Sequence, residues 1–332
     1  MTRHAICTLL PLVFAGGLSG CGPAAFRVEV VPARADLLES RIGRGERLLG
    51  NPKIAVIDID GFLANRRRQG LIRSGENPVS LLAEKLDKAA ADPKVRAVVL
   101  RIDSPGGTVA ASDLMYHSLM RFKAATAKPI VASILDIGAS GGYYLACAAD
   151  GIVVQPAGVT GSIGTIMQTV SIQGTLHKIG MKTLAIKSGT MKDMASPLHD
   201  ITPEEQEVLQ GIIDHLFENF FQVVRHGRPG IPEEKLRELA DGRVYTAKDA
   251  LDNGLIDRIG YPDDAIAWAM QMASVETADV VIYHRADSHK PNVYASAESD
   301  LGGAGALVNI EIPDWLESPG THFLYLWQPG LN

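Results

Sequence analysis

Cysteine is scarce in this 332-residue chain, with residues only at positions 7, 21 and 147. So few rule out a disulfide framework, and a chain this long can bury a core without one. An excess of basic charge is also lacking. Lys and Arg number 32 against 38 Asp and Glu, a formal net charge of −6, so no basic face for duplex nucleic acid is expected. The short run Arg66-Arg67-Arg68 reads as a solvated loop. Beyond the first twenty residues no apolar stretch reaches the ~18 residues of a spanning helix. Neither an H-E-x-x-H pattern nor a paired-cysteine spacing occurs, so metal hydrolysis is not expected, and no metal or other cofactor is called for. What remains, 46% hydrophobic and 21% charged residues, is the composition of an ordinary globular protein.

The N-terminus is the first informative segment. Arg3 and His4 precede an apolar run from Ala5 to Gly20, broken by Pro11, which reads as a secretory leader. It ends Leu18-Ser19-Gly20-Cys21, a pattern that resembles a bacterial lipoprotein signal, with cleavage before Cys21 and lipid on that residue. Residues 1–20 are therefore expected to leave. A diacylglycerol with a third chain would anchor the rest stably, since one acyl chain is marginal and two suffice. The expected location is the cell envelope, on the outer face of the cytoplasmic membrane or in the periplasm, with the outer membrane left open. Cys147 would be the one remaining thiol. Among Leu145, Ala146, Ala148 and Ala149 it reads as a buried small hydrophobe.

After a polar spacer, 21–50, strands and helices alternate through a domain expected to cover 51–284. Strands are read at 54–59, 97–102, 129–134 and 151–154, with helices at 80–91 and 109–125 and a small-residue helix running to Ala149. The alternation predicts an α/β fold: a mostly parallel sheet with helices on both faces. A further strand is read near Lys182–Lys187. Thr202, Pro203 and Glu205 then supply the cap, first-turn proline and capping-box acid of a long helix to about Arg225, with a wide apolar face. Shorter helices are read near 232–239, 247–253 and 263–272. Residues 285–332 lack a sustained period and read as an extended tail. Its end, Phe323-Leu324-Tyr325-Leu326-Trp327, is too apolar to stay in water and is expected to dock on its own or a neighbouring subunit, near a groove or rim.

The chemistry gathers in two turns, each expected after a strand, where open α/β sheets place their sites. Ser104-Pro105-Gly106-Gly107 brings adjacent glycines whose backbone N–H groups suit an oxyanion hole. Gly138-Ala139-Ser140-Gly141-Gly142 sets a serine among small residues at a sharp entry to a helix and satisfies G-x-S-x-G. A serine nucleophile needs a base: a histidine with an acid, a lysine, or a terminal amine. The first histidine after Ser140 is His177; lysines follow at 178, 182, 187 and 192, and spacing does not choose among them.

Four segments together carry a specific resemblance. Arg101–Gly107, Gly138–Tyr144, Gly161–Gly164 and Lys187–Asp193, with Gly242–Ala250 running on to Asp257, resemble signal peptide peptidase A, the Ser/Lys peptidases of the S49 family, in its short single-repeat form. The resemblance covers roughly residues 53–283 and implies the Clp protease/crotonase-like fold. It implies Ser140 as nucleophile, Lys192 as general base, Ser162 as the serine that orients the lysine, and the backbone N–H groups of Gly107 and Gly141 as oxyanion donors. It also implies a homo-oligomeric ring whose neighbours share sites, acting on hydrophobic, signal-peptide-like substrates at a membrane. A free lysine titrates near ~10.4, so such a base needs burial, which Met191, Met194 and Pro197 are expected to provide. Two rival readings remain at this level: an esterase using Ser140 with an Asp and His199 or His215, and a non-catalytic lipoprotein scaffold. A crotonase-type coenzyme A enzyme fits an exported chain less well.

Overall fold

The computed structural model describes residues 36–42, 50–66, 76–285 and 323–327. The leader, Cys21, most of the spacer, Arg67, Arg68 and the tail from 286 to 322 lie outside the described residues.

The sheet is built on β2 (Lys53–Leu63), β3 (Val95–Thr108), β4 (Ile130–Ala139) and β5 (Gly151–Val154), all parallel. β9 (Arg258–Ile259) extends one side in parallel. On the other side β10 (Asp279–His284) runs parallel to β2, and β1 (Leu38–Ile42) closes the row antiparallel to β10. The strands read as near-continuous apolar runs because both faces are covered. One face carries α1 (Pro78–Ala91), α2 (Val109–Thr126), α3 (Gly141–Ala146) and the C-terminal half of α5 (Pro203–Gly227) over Ala55, Ile57, Val98, Leu100, Ile102 and Ile134. The other face packs Ile54, Val56, Val99, Val131 and Val153 against α8 (Pro262–Met272). At the paired positions Asp58 and Arg101, β2 and β3 are joined by a buried ion pair of 2.6 Å.

Local signals explain the helix ends. Asn77 caps α1 by accepting the N–H groups of Val79 and Ser80. Thr202 and Glu205 form the capping box expected at α5. α6 (Glu233–Leu239) and α7 (Ala247–Asp252) fall where the sequence places them. Cys147 is buried, and loss of solvent pushes its thiol up to about 12, as a packed small hydrophobe requires.

Three expectations change. Ser104–Gly107 is not a turn: β3 runs through it to Thr108, beyond an irregularity in its pairing with β4 between Ile102 and Ser104. Pairing with the extended end of β2 holds this stretch straight, Phe62 against Gly106 and Leu63 against Gly107. The small-residue helix stops at Ala146 rather than Ala149. Residues 181–187 form no strand, because no strand among the described residues pairs with them.

The candidate active site

β4 ends at Ala139, and the chain turns abruptly into α3 at Ser140, whose φ of 51° and ψ of −114° are strained for a residue with a side chain. The turn is held from both sides. Ser140 N–H donates to the carbonyl of Gly161 at 2.7 Å, and Tyr144 N–H donates to the carbonyl of Ser140 at 2.8 Å. Ser140 is buried, yet its Oγ has no hydrogen-bond partner among the described residues. A buried hydroxyl left unsatisfied at a strained elbow is what a site awaiting a ligand or a second group looks like.

The short strand β6 (Val159–Gly161) pairs with the end of β4, setting Ala139 opposite Gly161. Ser140 and Ser162 are therefore the next residues along two paired strands. Ser162 is also buried with φ 51°, and its N–H donates to the carbonyl of Arg243 at 2.7 Å. The motif around Arg243 thus acts through its backbone, with β8 (Val244–Thr246) antiparallel to β6.

The two glycine-rich segments do meet. A Cβ on Gly106 would come within 2.7 Å of the backbone nitrogen of Gly141, and one on Gly141 would lie 2.5 Å from Ser112 Oγ. Gly106 also has φ +103°, so both space and backbone demand glycine there. The resemblance implies Gly107 and Gly141 as oxyanion donors; that Gly106 reserves space beside the elbow has no signal in the sequence beyond its place in a glycine pair. Gly107 is packed against the backbone of Leu63.

The lysines do not reach this centre. The loop after β7 (Ile166–Met167) and the short α4 (Gln173–Lys178) leaves the sheet and returns at α5, and most of it is exposed. Lys187 is paired with Asp193 and donates to the carbonyl of Thr190 at 3.0 Å. Lys192 is exposed: its backbone N–H donates to the carbonyl of Gly189 at 3.1 Å, but its ammonium has no hydrogen-bond or ion-pair partner among the described residues. The burial expected from Met191 and Pro197 is not provided, since both are exposed too. His199 is tied elsewhere: its ring nitrogens lie 2.9 Å from the carbonyls of Asp200 and Asp193. Those two carbonyls raise its pKa, helped by the carboxylates of Asp193 and Glu205 at 3.6 and 3.8 Å. The histidine of the esterase reading is therefore absent from Ser140, whose hydroxyl touches no imidazole.

Comparison with known proteins decides the family. Residues 123–276, from the end of α2 to beyond α8, match peptidase family S49. The chain is 37% identical over 224 residues to the protein slr0021 of Synechocystis, a match covering 68% of this chain and 76% of that one. The chain belongs to peptidase family S49. It is 33% identical over 233 residues to the Enterococcus faecium protein that carries the name SppA, covering 70% of this chain and 67% of the relative. With the chloroplastic serine protease SPPA of Arabidopsis thaliana it shares 33% identity over 259 residues, 76% of this chain and 38% of that longer one. As an S49 protein of the signal peptide peptidase A type it is a serine peptidase on the Clp protease/crotonase-like fold, and the parallel sheet with helices on both faces is that fold. Both rival readings fall with this assignment.

Proposed function

We propose that this peptidase hydrolyses hydrophobic, signal-peptide-like segments with Ser140 as nucleophile and Lys192 as base, and that the lysine is delivered by a neighbouring copy of the chain. The observation that carries the reading is the orphaned hydroxyl: Ser140 Oγ is buried without a partner while Lys192 stands exposed on an outlying loop. One chain holds two halves of a site that do not touch. A second observation supports assembly. The loop exposes Val170, Ile179, Met181, Leu184 and Ile186, the last two at 88% and 96%. Leu184 and Ile186 alternate along the stretch read as a strand, so a strand from a second copy is the natural cover. The N-terminal half of α5 adds Val208, which is exposed, and Ile212 and Ile213, which are half-buried.

In this reading the ring forms because each copy covers its neighbour's loop, and burial there lets a lysine act as a base near neutral pH. Lys192 takes the proton of Ser140 as Oγ attacks a peptide carbonyl. The N–H groups of Gly107 and Gly141 hold the oxyanion, and Ser162, next to Ser140 across β4 and β6, orients the lysine amine. Collapse expels the amine with the returned proton, and water then releases the acyl group by the same route. No metal or cofactor enters these steps.

Lipid on Cys21 would hold the ring at an envelope membrane, where apolar peptides are released. No helix among the described residues is long and apolar enough to cross a membrane. Turnover of a signal-peptide substrate by wild type, Ser140→Ala, Lys192→Ala and Lys192→Arg tests the chemistry. All three variants are expected to fold and to be inactive, arginine because it stays protonated. Substantial turnover by Lys192→Arg would remove lysine from the base role.

A further inference from the structure

Lys192 stands on a folded knob. Residues 189–196 make successive turns: Lys192 N–H donates to the carbonyl of Gly189 at 3.1 Å, Met194 N–H to that of Met191 at 3.2 Å, and Ser196 N–H to that of Asp193 at 3.0 Å. The chain leading out to the knob ties it down. Ile172 N–H donates to the carbonyl of Pro197 at 2.8 Å, and Thr169 Oγ1 to that of Ala195 at 3.2 Å. Ala195 is buried with φ 61°, a left-handed conformation that a residue with a side chain keeps only where its surroundings hold it there.

His199 fastens the end of the knob to its middle. Its Nε2 lies 2.9 Å from the carbonyl oxygen of Asp193, the residue after Lys192, and its Nδ1 lies 2.9 Å from that of Asp200. A carbonyl oxygen only accepts, so both ring nitrogens have to donate, and a ring with two N–H groups is an imidazolium. The charged groups that face it among the described residues fit a cation. Within the knob, Asp193 Oδ2 is 3.6 Å from Nε2; from α5, Glu205 Oε1 is 3.8 Å from the same atom. Glu205 is buried and fixed by the capping box, its other oxygen accepting Thr202 N–H at 3.0 Å. Lys187 is taken up by the other oxygen of Asp193, and the carboxylate of Asp200 accepts from Ser171 Oγ at 2.5 Å. A neutral ring would keep one N–H and turn a lone pair on the second carbonyl. Deprotonation therefore releases one of the two ties.

We propose that His199 is the positioning residue of the lysine base: as an imidazolium it clamps the backbone of Asp193 to the start of α5, and so fixes the direction in which Lys192 reaches the Ser140 of a neighbouring copy. The proposal rests on the reading of Lys192 as a base shared between copies. His199 touches neither Ser140 nor the lysine's ammonium and acts through the carbonyl of Asp193. Two opposite pH dependences then meet in one enzyme. Loss of the lysine proton favours turnover as pH rises. The clamp works the other way. The two carbonyls, and after them the carboxylates of Glu205 and Asp193, raise the pKa of His199 above its ordinary 6.5, so the clamp is complete below that value and is lost as pH rises through the folded one. The rate is therefore bell-shaped in pH, with Lys192 setting the acid limb and His199 the alkaline limb.

The test uses the full chain in detergent, a fluorogenic signal-peptide substrate, and the variants His199→Gln, His199→Arg and Lys192→Ala, each followed across the pH range. His199→Gln, neutral at every pH, is expected to lower kcat about 5- to 30-fold at mildly acid pH, with KM and oligomer size unchanged. The gap to wild type is expected to close above neutrality, where the wild-type clamp is lost as well. His199→Arg stays protonated and carries donors for both carbonyls. It is expected to recover most of kcat and to hold its rate where wild type declines. A merely structural role predicts a lower Tm with the wild-type pH profile in both variants, and that result overturns the proposal. So does folded His199→Gln with wild-type kcat, or a His199→Arg protein as slow as His199→Gln. Lys192→Ala separates the two readings. Full turnover by that variant overturns the lysine base itself, whereas its inactivity beside unaffected His199 variants overturns the clamp alone.

Discussion

Replacing Gly106 by alanine attacks the site at its most crowded point. The backbone there has φ +103°, a conformation that costs an L-residue about 1–2 kcal/mol. The new Cβ would overlap the carbonyl oxygen of Tyr325 and sit 2.7 Å from the nitrogen of Gly141. Both neighbours are backbone atoms, so no side-chain rotation relieves the contact. Either β11 (Phe323–Leu326), the strand that pairs antiparallel with the end of β3, leaves or the elbow at Ser140 moves. Losing β11 exposes the buried Tyr325 ring, worth about 1.5–3 kcal/mol, and breaks its hydroxyl bond to Leu216, worth about 1 kcal/mol. Together with the backbone cost this is about 3.5–6 kcal/mol, a fall in Tm of roughly 7–24 °C for a domain of this size. The rate is expected to fall at least ~100-fold as well if the elbow is what moves, because Gly141, a proposed oxyanion donor, is displaced. Gly211→Ala is the control. It lies in α5 with nothing near its added Cβ, and is expected to stabilise by up to ~1 kcal/mol without loss of activity. Scanning calorimetry and peptide turnover on both variants decide the matter. A Gly106→Ala protein with wild-type Tm and rate would refute the close packing of these three backbones.

Other expectations follow from single contacts. Arg228 holds Asp257 through two bonds of 2.9 and 3.0 Å, and Asp257 also accepts the N–H of Ile152, so Asp257→Ala is expected to destabilise by about 3 kcal/mol in urea unfolding. His199 has a raised pKa, so its contribution is fully present below its unfolded value near 6.5 and is lost as pH rises through the folded value. Amide exchange in residues 193–200 is therefore expected to be slowest at mildly acid pH and, after correction for intrinsic rates, to quicken above neutrality; His199→Gln is expected to abolish that pH dependence. Cys147, with its thiol pushed up to about 12, is expected to resist alkylation in the folded protein and to react only on unfolding, read by mass spectrometry.

Much of the fold is legible because the central strands are buried on both faces and so carry near-continuous apolar runs, as in Val98–Ile102, interrupted by the ion-paired Arg101, and Ile130–Ile134, interrupted by Ser133. Helix ends with a chemical signal are equally plain: Thr202, Pro203 and Glu205 announce α5. Ser104–Gly107 misleads because glycine and proline mark turns locally, whereas here they permit close backbone approach within a strand. That distinction is set by Leu63 and Tyr325, residues remote in sequence. Residues 182–187 have a strand pattern but no partner strand among the described residues, so periodicity alone leaves the element unpaired. The positions of Ser140 and Ser162 follow from their glycine-rich surroundings, and the pairing of Ala139 with Gly161 brings them together. The choice of Lys192 among four lysines rests on resemblance alone.

The most direct test of a site completed by a neighbouring chain is subunit mixing. Ser140→Ala and Lys192→Ala proteins, each inactive alone, are dissociated, mixed in equal amounts and reassembled, with exchange verified by differential labels. A mixed ring contains interfaces where an intact Ser140 meets an intact Lys192, so peptidase activity is expected to return to a substantial fraction of wild type. Verified exchange with no recovered activity would place both residues in one chain and contradict the shared site.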